Sequence, residues 1–532
     1  MTKKSKKIAV IDFETDPFLY GRLNIKPFAA GFYDGEQILT YWGDDCVERL
    51  IEFILDLDEP YLIYAHNGGK FDFHFMLDYF EDKIRVINGR IAEAYIDVHV
   101  FRDSFLILPM ALKNYAKTEI DYSKFEKHVR HKHKAEIIEY LKDDCKFLYS
   151  WIEKFIERFG NKLTLASTSF GLMKKQFDYD IEKTGNAYDK KFRDFYFGGR
   201  VECFESGVIN KTLEYVDINS AYPYAMLYEH PKGDQVVIKT KLPKKAGGWF
   251  AEIDAVNRGC LPFRGEEKII YYNDHRTRKY FATGWEIYAG LETKTLEIKR
   301  IHNVYFHCES RNFREFINFY YEGKKDAKKS GDKDTETFFK LIMNSSYGKF
   351  GQNSREFNDF KIMPFGADEN EGYTYDCDFG YNELHKKKSK PDENCEFFNV
   401  GTAASITGFV RAFLWRAINK CRRVVYCDTD SLLCVGFNGQ VSDQLGDWKM
   451  EAIVNKAYIG GRKFYLLECA PDAKNPKGSI KKATKGFSAT DDEIRACIVY
   501  GKPIQYEKEA PAFSLKYGQR KIGRSIKPTK GS

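Results

Sequence analysis

Short, largely apolar runs of strand length punctuate the chain at residues 8–13, 61–65, 213–216, 424–427 and 432–435. Continuous runs of this length, bounded by turn residues, predict buried strands. The clearest pair, 424–427 and 432–435, flanks Asp428, Thr429 and Asp430, so it predicts a hairpin with two carboxylates at its tip. Apolar residues at helical spacing predict helices over 313–329, 338–350 and 403–417, the last amphipathic and carrying Arg411 and Arg416. Between 231 and 310, strand-like runs alternate with Gly, Pro and Asn turns, which predicts an inserted β-rich subdomain. Residues 356–397 are polar and turn-rich and read as a second insertion.

A chain of 532 residues has room for two or more domains. With 43% hydrophobic and 30% charged residues it reads as globular, and no apolar run reaches the roughly 18 residues of a membrane span. The basic start, lacking a long apolar segment, reads as a tail rather than a signal peptide. Twelve cysteines without a CxxC pair argue against a zinc ribbon and for reduced thiols in a cytoplasm. The net charge of +7 is unevenly placed: residues 481–532 hold 12 Lys+Arg against 5 Asp+Glu, and the remainder is neutral. One basic end on a neutral body suggests a surface for a polyanion.

The chemistry-bearing residues recur at the ends of these elements. Asp12 and Glu14 are two apart on a strand and therefore share a face. Asn67 and two glycines mark a turn after 61–65, with Asp72 near the start of a following helix. Tyr140 and Asp144, four apart, share one helix face. At the hairpin tip, Asp428 and Asp430 would raise each other's pKa, a conflict that a hard divalent cation relieves. An acidic turn without metal is the simpler reading, but a solvated turn has no need of two apolar strands. Lys340, Asn344 and Tyr347 fall on one helix face and offer a cation, an amide and an aromatic ring, which suits a triphosphate, a sugar and a base.

In this order the motifs resemble those of family B DNA polymerases of the small protein-primed bacteriophage type. YCDTDS resembles the palm signature, and Asp217 to Pro223 resembles DxxSLYP, with Ala221 in place of the usual Leu. Lys340 to Gly348 matches KxxxNSxYG, Tyr196 to Gly199 resembles YxGG, and Lys463 with Tyr465 resembles KxY. The early motifs resemble the DxE, Nx₃FD and Yx₃D motifs of proofreading 3′–5′ exonucleases, with two glycines after Asn67 where small phage enzymes carry one residue fewer.

The resemblance implies an α/β and α+β multidomain fold. An RNase H-like exonuclease domain (1–190) would precede a right-hand polymerase. Palm and fingers would span 191–480, with insertions at about 231–310 and 356–397, and a basic thumb and tail 481–532. It implies that Asp217, Asp428 and Asp430 hold two Mg²⁺, with Mn²⁺ as a substitute. Tyr222, Lys340, Asn344 and Tyr347 would bind the dNTP, Tyr222 by excluding a 2′-hydroxyl. In the exonuclease, Asp12, Glu14, Asp72 and Asp144 would be metal ligands, Tyr140 would orient the water, and Lys117 would face the scissile phosphate. Thr15, Asn67, Phe71, Ser104 and Phe105 would hold single-stranded DNA. Tyr196, Gly198, Gly199, Lys463, Tyr465, Lys482 and Lys485 would contact primer-template.

The implied partners are DNA, dNTPs and a terminal priming protein, bound by a monomer in the host cytoplasm with no membrane role. A nucleic-acid-primed family B polymerase, a nuclease whose second half only binds DNA, and a non-catalytic replication scaffold are the rival readings. Primer extension and metal-dependent degradation separate them.

Overall fold

The computed structural model describes residues 6–16, 25–110, 119–368, 371–484, 486–487, 489–515 and 518–528, with the backbone alone for 506–514 and 518–525. The chain forms two compact units: Met1–Thr168 with Arg355–Pro391 and Glu507–Gly523, and Ser169–Ser354 with Asp392–Tyr506 and Arg524–Ser532.

The first unit is built on a ten-stranded sheet. Its order is Thr374–Phe379, Asn382–Lys388, Asn358–Pro364, Lys83–Ile87, Arg90–Ile96, His99–Asp103, Tyr61–Ala65, Lys7–Thr15, Pro27–Tyr33 and Ile38–Trp42. Tyr61–Ala65 pairs in parallel with both Lys7–Thr15 and His99–Asp103. Central parallel strands are buried on both faces, which explains why these segments read as continuous apolar runs. Helices Cys46–Leu55 and Lys134–Phe159 pack on the sheet.

The second unit carries an antiparallel sheet in the order Ser479–Thr484, Phe464–Cys469, Trp448–Gly461, Leu213–Ile218, Ser431–Val435, Arg423–Asp428 and Val201–Cys203. The expected hairpin supplies two neighbouring strands of it, Arg423–Asp428 and Ser431–Val435, beside the central strand Leu213–Ile218. The 231–310 region forms a separate four-stranded sheet: His230–Lys239, Leu296–Arg311, Trp249–Arg258 and Asn273–Thr283, in that spatial order.

The division of the chain differs from the expected boundaries in three places. The first unit stops at Thr168, so 169–190 folds with the second. Residues 355–391 leave the second unit, the expected place of the second insertion: strand Asn358–Pro364 joins the free edge of Lys83–Ile87, with Phe360 opposite Ile84 and Lys361 opposite Lys83. An edge strand offers unpaired backbone groups that any strand can take up, and sequence periodicity does not say which one will. Finally, 507–523 sits with the first unit rather than with a terminal domain.

Two local readings also change. Helix Val400–Ile418 is buried along most of its length, Thr402, Ser405, Thr407 and Arg411 included, so it is a core helix rather than an amphipathic one. The turn after Asn67 continues into short 3₁₀ segments, Gly68–Lys70 and Asp72–Phe75, not into a long helix. The cysteines form no disulfide among the described residues, and most are buried. No described helix is long and apolar enough to cross a membrane.

Candidate functional site

Each unit gathers its own set of carboxylates. In the first, strand Lys7–Thr15 carries Asp12 opposite Gly31 and Glu14 opposite Ala29. The small partners matter: a Cβ on Gly31 would meet Cys145 Sγ at 2.8 Å, so only glycine lets helix Lys134–Phe159 lie this close. That approach brings Asp144 to the strand, and ligand oxygens of Asp12, Glu14 and Asp144 all lie within 4.8 Å of one another. Asp72 is buried beside Phe13, whose amide favours its charged form, yet burial pushes its carboxyl up to about 7. All four carboxylates raise the pKa of the Cys145 thiol behind them, after burial itself.

Tyr140 lies one turn before Asp144, with its hydroxyl 3.2 Å from that of Tyr122. Burial raises its pKa, helped by Tyr122, Asp144 and Glu14. Thr15 is buried next to Glu14. Asn67 sits in the left-handed region (φ +62) and accepts a 2.9 Å hydrogen bond from Arg90. Arg90 pairs with Asp103 and lies over the Phe105 ring at 4.7 Å. Asp103 also accepts from the amides of Gly69 and Phe105, and it adds to the raised pKa of Asp72. Ser104 is buried, 3.0 Å from His66 Nδ1. The Phe71 ring packs edge-on to Phe75. The network therefore joins Asn67 and Phe105 to the carboxylates. It runs through Arg90 and Asp103, residues whose sequence context gave no signal because strand pairing alone brings them together. Lys117 lies outside the described residues.

In the second unit, Asp428 ends its strand, Thr429 takes φ +59, and the Asp430 amide folds back on the Asp428 carbonyl at 2.6 Å. Asp217 stands opposite Ser431 on the neighbouring strand, so three carboxylates converge at one sheet end. Burial, then Asp430 and Glu451, pushes Asp217 up to about 7, while Lys449 and Lys340 pull the other way. Burial and Asp428 push Asp430 up to about 6. Lys463 pairs with Asp428 at 2.9 Å. Tyr465 packs edge-on to Tyr426. Beside Asp217 an open pocket of about 460 Å³ is lined by Tyr215, Glu451, Tyr465, Lys481 and Lys482.

Helix Lys333–Ser345 and the turn Tyr347–Gly351 carry an exposed Lys340, a half-buried Asn344 and Tyr347, whose ring stacks on Tyr222. The two glycines after Phe197 have different neighbours. A Cβ on Gly199 would meet Thr429 at 2.7 Å, whereas one on Gly198 would meet nothing within 4 Å. Arg411, buried and paired with Glu286 at 2.7 Å, donates to the carbonyls of Phe197 and Gly198 and so holds this loop. The Tyr196 ring packs on Gly351. Lys482 is bonded to Asp491 at 2.8 Å and to the Ala489 carbonyl. Lys485 lies outside the described residues.

Both carboxylate sets fit divalent cations. Asp72 Oδ1 is buried without a hydrogen-bond partner, and Asp217 and Asp430 are held against burial and mutual repulsion, which a hard cation would relieve.

Residues 115–374 match the family described as DNA polymerase type B, organellar and viral. The chain is 37% identical to the DNA-directed DNA polymerase of Enterobacteria phage PRD1, over 99% of both proteins. It is 23% identical to the DNA polymerase of Bacillus phage Nf, over 90% of this chain and 92% of that one. Its fold is similar to that of Phi29 DNA polymerase complexed with primer-template DNA, with TM-score 0.75 and 17% identity over 99% of this chain and all of the other. A Phi29 complex with single-stranded DNA matches with the same TM-score at 16% identity.

Proposed function

Since the chain belongs to the organellar and viral type B DNA polymerases, we propose that it extends a DNA primer at the Asp217, Asp428 and Asp430 site and proofreads at the Asp12, Glu14, Asp72 and Asp144 site. The observation that carries the reading is the convergence of Asp217, Asp428 and Asp430 at one sheet end, with the Tyr222–Tyr347 stack and Lys340 on the neighbouring segments. Mg²⁺, or Mn²⁺ in its place, held by these two sets would supply the acidity that activates the primer 3′-hydroxyl or a water and would steady the leaving oxygen.

The chain's own groups do the rest. Lys340 offsets triphosphate charge, and its field already reaches Asp217. Tyr222 closes the sugar side and favours a deoxyribose. Asn344 and Tyr347 bind sugar and base. Lys463 and Tyr465 steady the primer strand, with Lys482 beside the same pocket. The Tyr196–Gly199 loop supports the catalytic turn through Gly199 and Thr429. In the first unit, Tyr140 orients the attacking water, while Thr15, Asn67, Phe71, Ser104 and Phe105 hold the 3′ end of a single strand. The buried phenol of Tyr140, kept protonated, can donate to that water.

Initiation on a terminal priming protein, in the host cytoplasm, completes the proposal. The four-stranded insertion at 231–310 and the arm at 355–391 are its candidate protein and template contacts. Two assays test it. Extension of a primed template with dNTPs tests polymerisation, and failure there would refute the core reading. Incubation without primer, looking for a dNMP attached to a protein, tests the priming mode alone.

A further inference from the structure

Lys463 occupies a turn that fixes its backbone beside the catalytic hairpin. It follows strand Trp448–Gly461, takes φ +55, and donates its own amide to the Tyr426 hydroxyl at 2.9 Å. From that anchored backbone its ammonium lies 2.9 Å from Asp428 Oδ2 and 3.0 Å from Oδ1. One cation thus spans both oxygens of a carboxylate assigned to metal. Both side chains remain part exposed, at 37% for Lys463 and 21% for Asp428, so the pair can open without burying a lone charge. Among the described residues neither Asp217 nor Asp430 has an ion-pair partner within 4.0 Å, so the lysine is placed on one ligand of the three.

We infer that Lys463 is a placeholder cation: it neutralises Asp428 while the palm is empty, yields that carboxylate to the entering divalent ion, and turns to a primer-strand phosphate. The inference rests on the polymerase reading above. No covalent bond or proton moves. Asp428 exchanges a monovalent partner for a divalent one, and Lys463 exchanges a carboxylate for a phosphate.

Competition follows from shared occupancy. Without DNA, Lys463 weakens metal binding. Metal frees the lysine for the primer, so metal and DNA strengthen each other's binding by the same factor, as linkage requires. Lys481 is the internal contrast. It is held by Glu451 at 3.2 Å, and Glu451 is not a proposed ligand, so removing Lys481 should weaken DNA binding without touching this coupling.

The test uses the full-length chain carrying Asp12→Ala and Glu14→Ala, which removes the first metal set. Bound Mn²⁺ is counted by electron paramagnetic resonance with and without primer-template, and DNA affinity is measured in Mn²⁺ and in EDTA. Lys463→Gln should bind Mn²⁺ without DNA about threefold to fivefold more tightly than its parent, the scale of a part-exposed ion pair. Its DNA affinity should become nearly independent of Mn²⁺. Lys463→Arg, which keeps the charge, should behave like the parent, and Lys481→Gln should keep the coupling. Unchanged or weaker Mn²⁺ binding by Lys463→Gln, with the coupling intact, overturns the inference. Asp428→Ala in the same background separates the two levels: if it binds as much Mn²⁺ as its parent, the metal assignment of the palm fails, and the exchange with it.

Discussion

The rings of Tyr222 and Tyr347 lie face to face, 4.0 Å apart at their centroids and 8° from parallel. One follows the Asp217 strand and the other follows the helix of Lys340, so the stack ties the sugar side of the proposed nucleotide site to the base side. Shortening Tyr222 to Val should do two things. It should open the space of a 2′-hydroxyl and raise the GTP/dGTP efficiency ratio by about tenfold or more. It should also free the Tyr347 ring, raising KM for dGTP by about twofold to tenfold, the worth of one aromatic stack. Steady-state kinetics with the two nucleotides check both effects, and an unchanged ratio would refute the gate.

The two carboxylate sets should separate by mutation. Asp428→Ala or Asp430→Ala should abolish primer extension and leave degradation of single-stranded DNA largely intact. Asp12→Ala with Glu14→Ala should do the reverse. Extension and degradation assays on the same preparations check this, and extension by Asp428→Ala at the parental rate would remove the assignment.

Gly199 and Gly198 make a paired test of the loop behind the hairpin. An added methyl at Gly199 would press on Thr429 at 2.7 Å, between Asp428 and Asp430, the two carboxylates of the turn proposed to hold metal. A shift of that turn by a fraction of an ångström should lower kcat for extension by about tenfold to a hundredfold. A methyl at Gly198 meets nothing within 4 Å and leaves the turn in place, so Gly198→Ala should keep kcat for extension of already-bound DNA, whatever it does to DNA affinity. Equal loss in both variants would mean that the loop acts by another route.

Asp72 gives a pH dependence whose sign is fixed. Burial raises its folded pKa to about 7, well above the ordinary carboxylate range. Its contribution to stability is therefore fully present below about pH 4 and is lost as pH rises through 7. The buried His74, His230 and His307, each lowered to about 4 by burial, act in the opposite direction between about pH 4 and 6.5. The comparison of Asp72→Asn with its parent in EDTA isolates the carboxylate. The difference in Tm should be near zero at pH 4 and should grow to a gain of about 2 °C or more for the variant by pH 7.5. Mg²⁺ should erase that gain by stabilising the parent. A constant offset across the range would remove Asp72 from the buried, charged set.

Lys482 tests the basic end. Its ammonium is engaged by Asp491 and the Ala489 carbonyl, yet it lines the pocket beside Asp217. If it turns to a primer phosphate, Lys482→Ala should flatten the salt dependence of DNA affinity by up to about one unit of the log–log slope. An identical slope would assign it to holding the helix that begins at Asp491.

What the sequence determined by itself is the set of groups whose relation is local. Asp12 with Glu14, Tyr140 with Asp144 and Lys340 with Asn344 are related by strand and helix periods, and Asp428 with Asp430 and Tyr347 with that helix by the turn that directly follows, all of which covalent geometry imposes over a few residues. Apolar flanks then show which of these elements are buried. Tertiary structure alone decided relations that depend on which strands meet. It set Arg90 between Asn67 and Asp103, and Gly199 against Thr429. It brought Lys463 onto Asp428 and joined 358–364 to the edge of Lys83–Ile87. It also gave Lys482 an acidic partner nine residues on. Such pairings are selected by edge availability, twist and packing, across more than two hundred residues of chain for Gly199 with Thr429 and for 358–364 with Lys83–Ile87, and no local pattern encodes that choice.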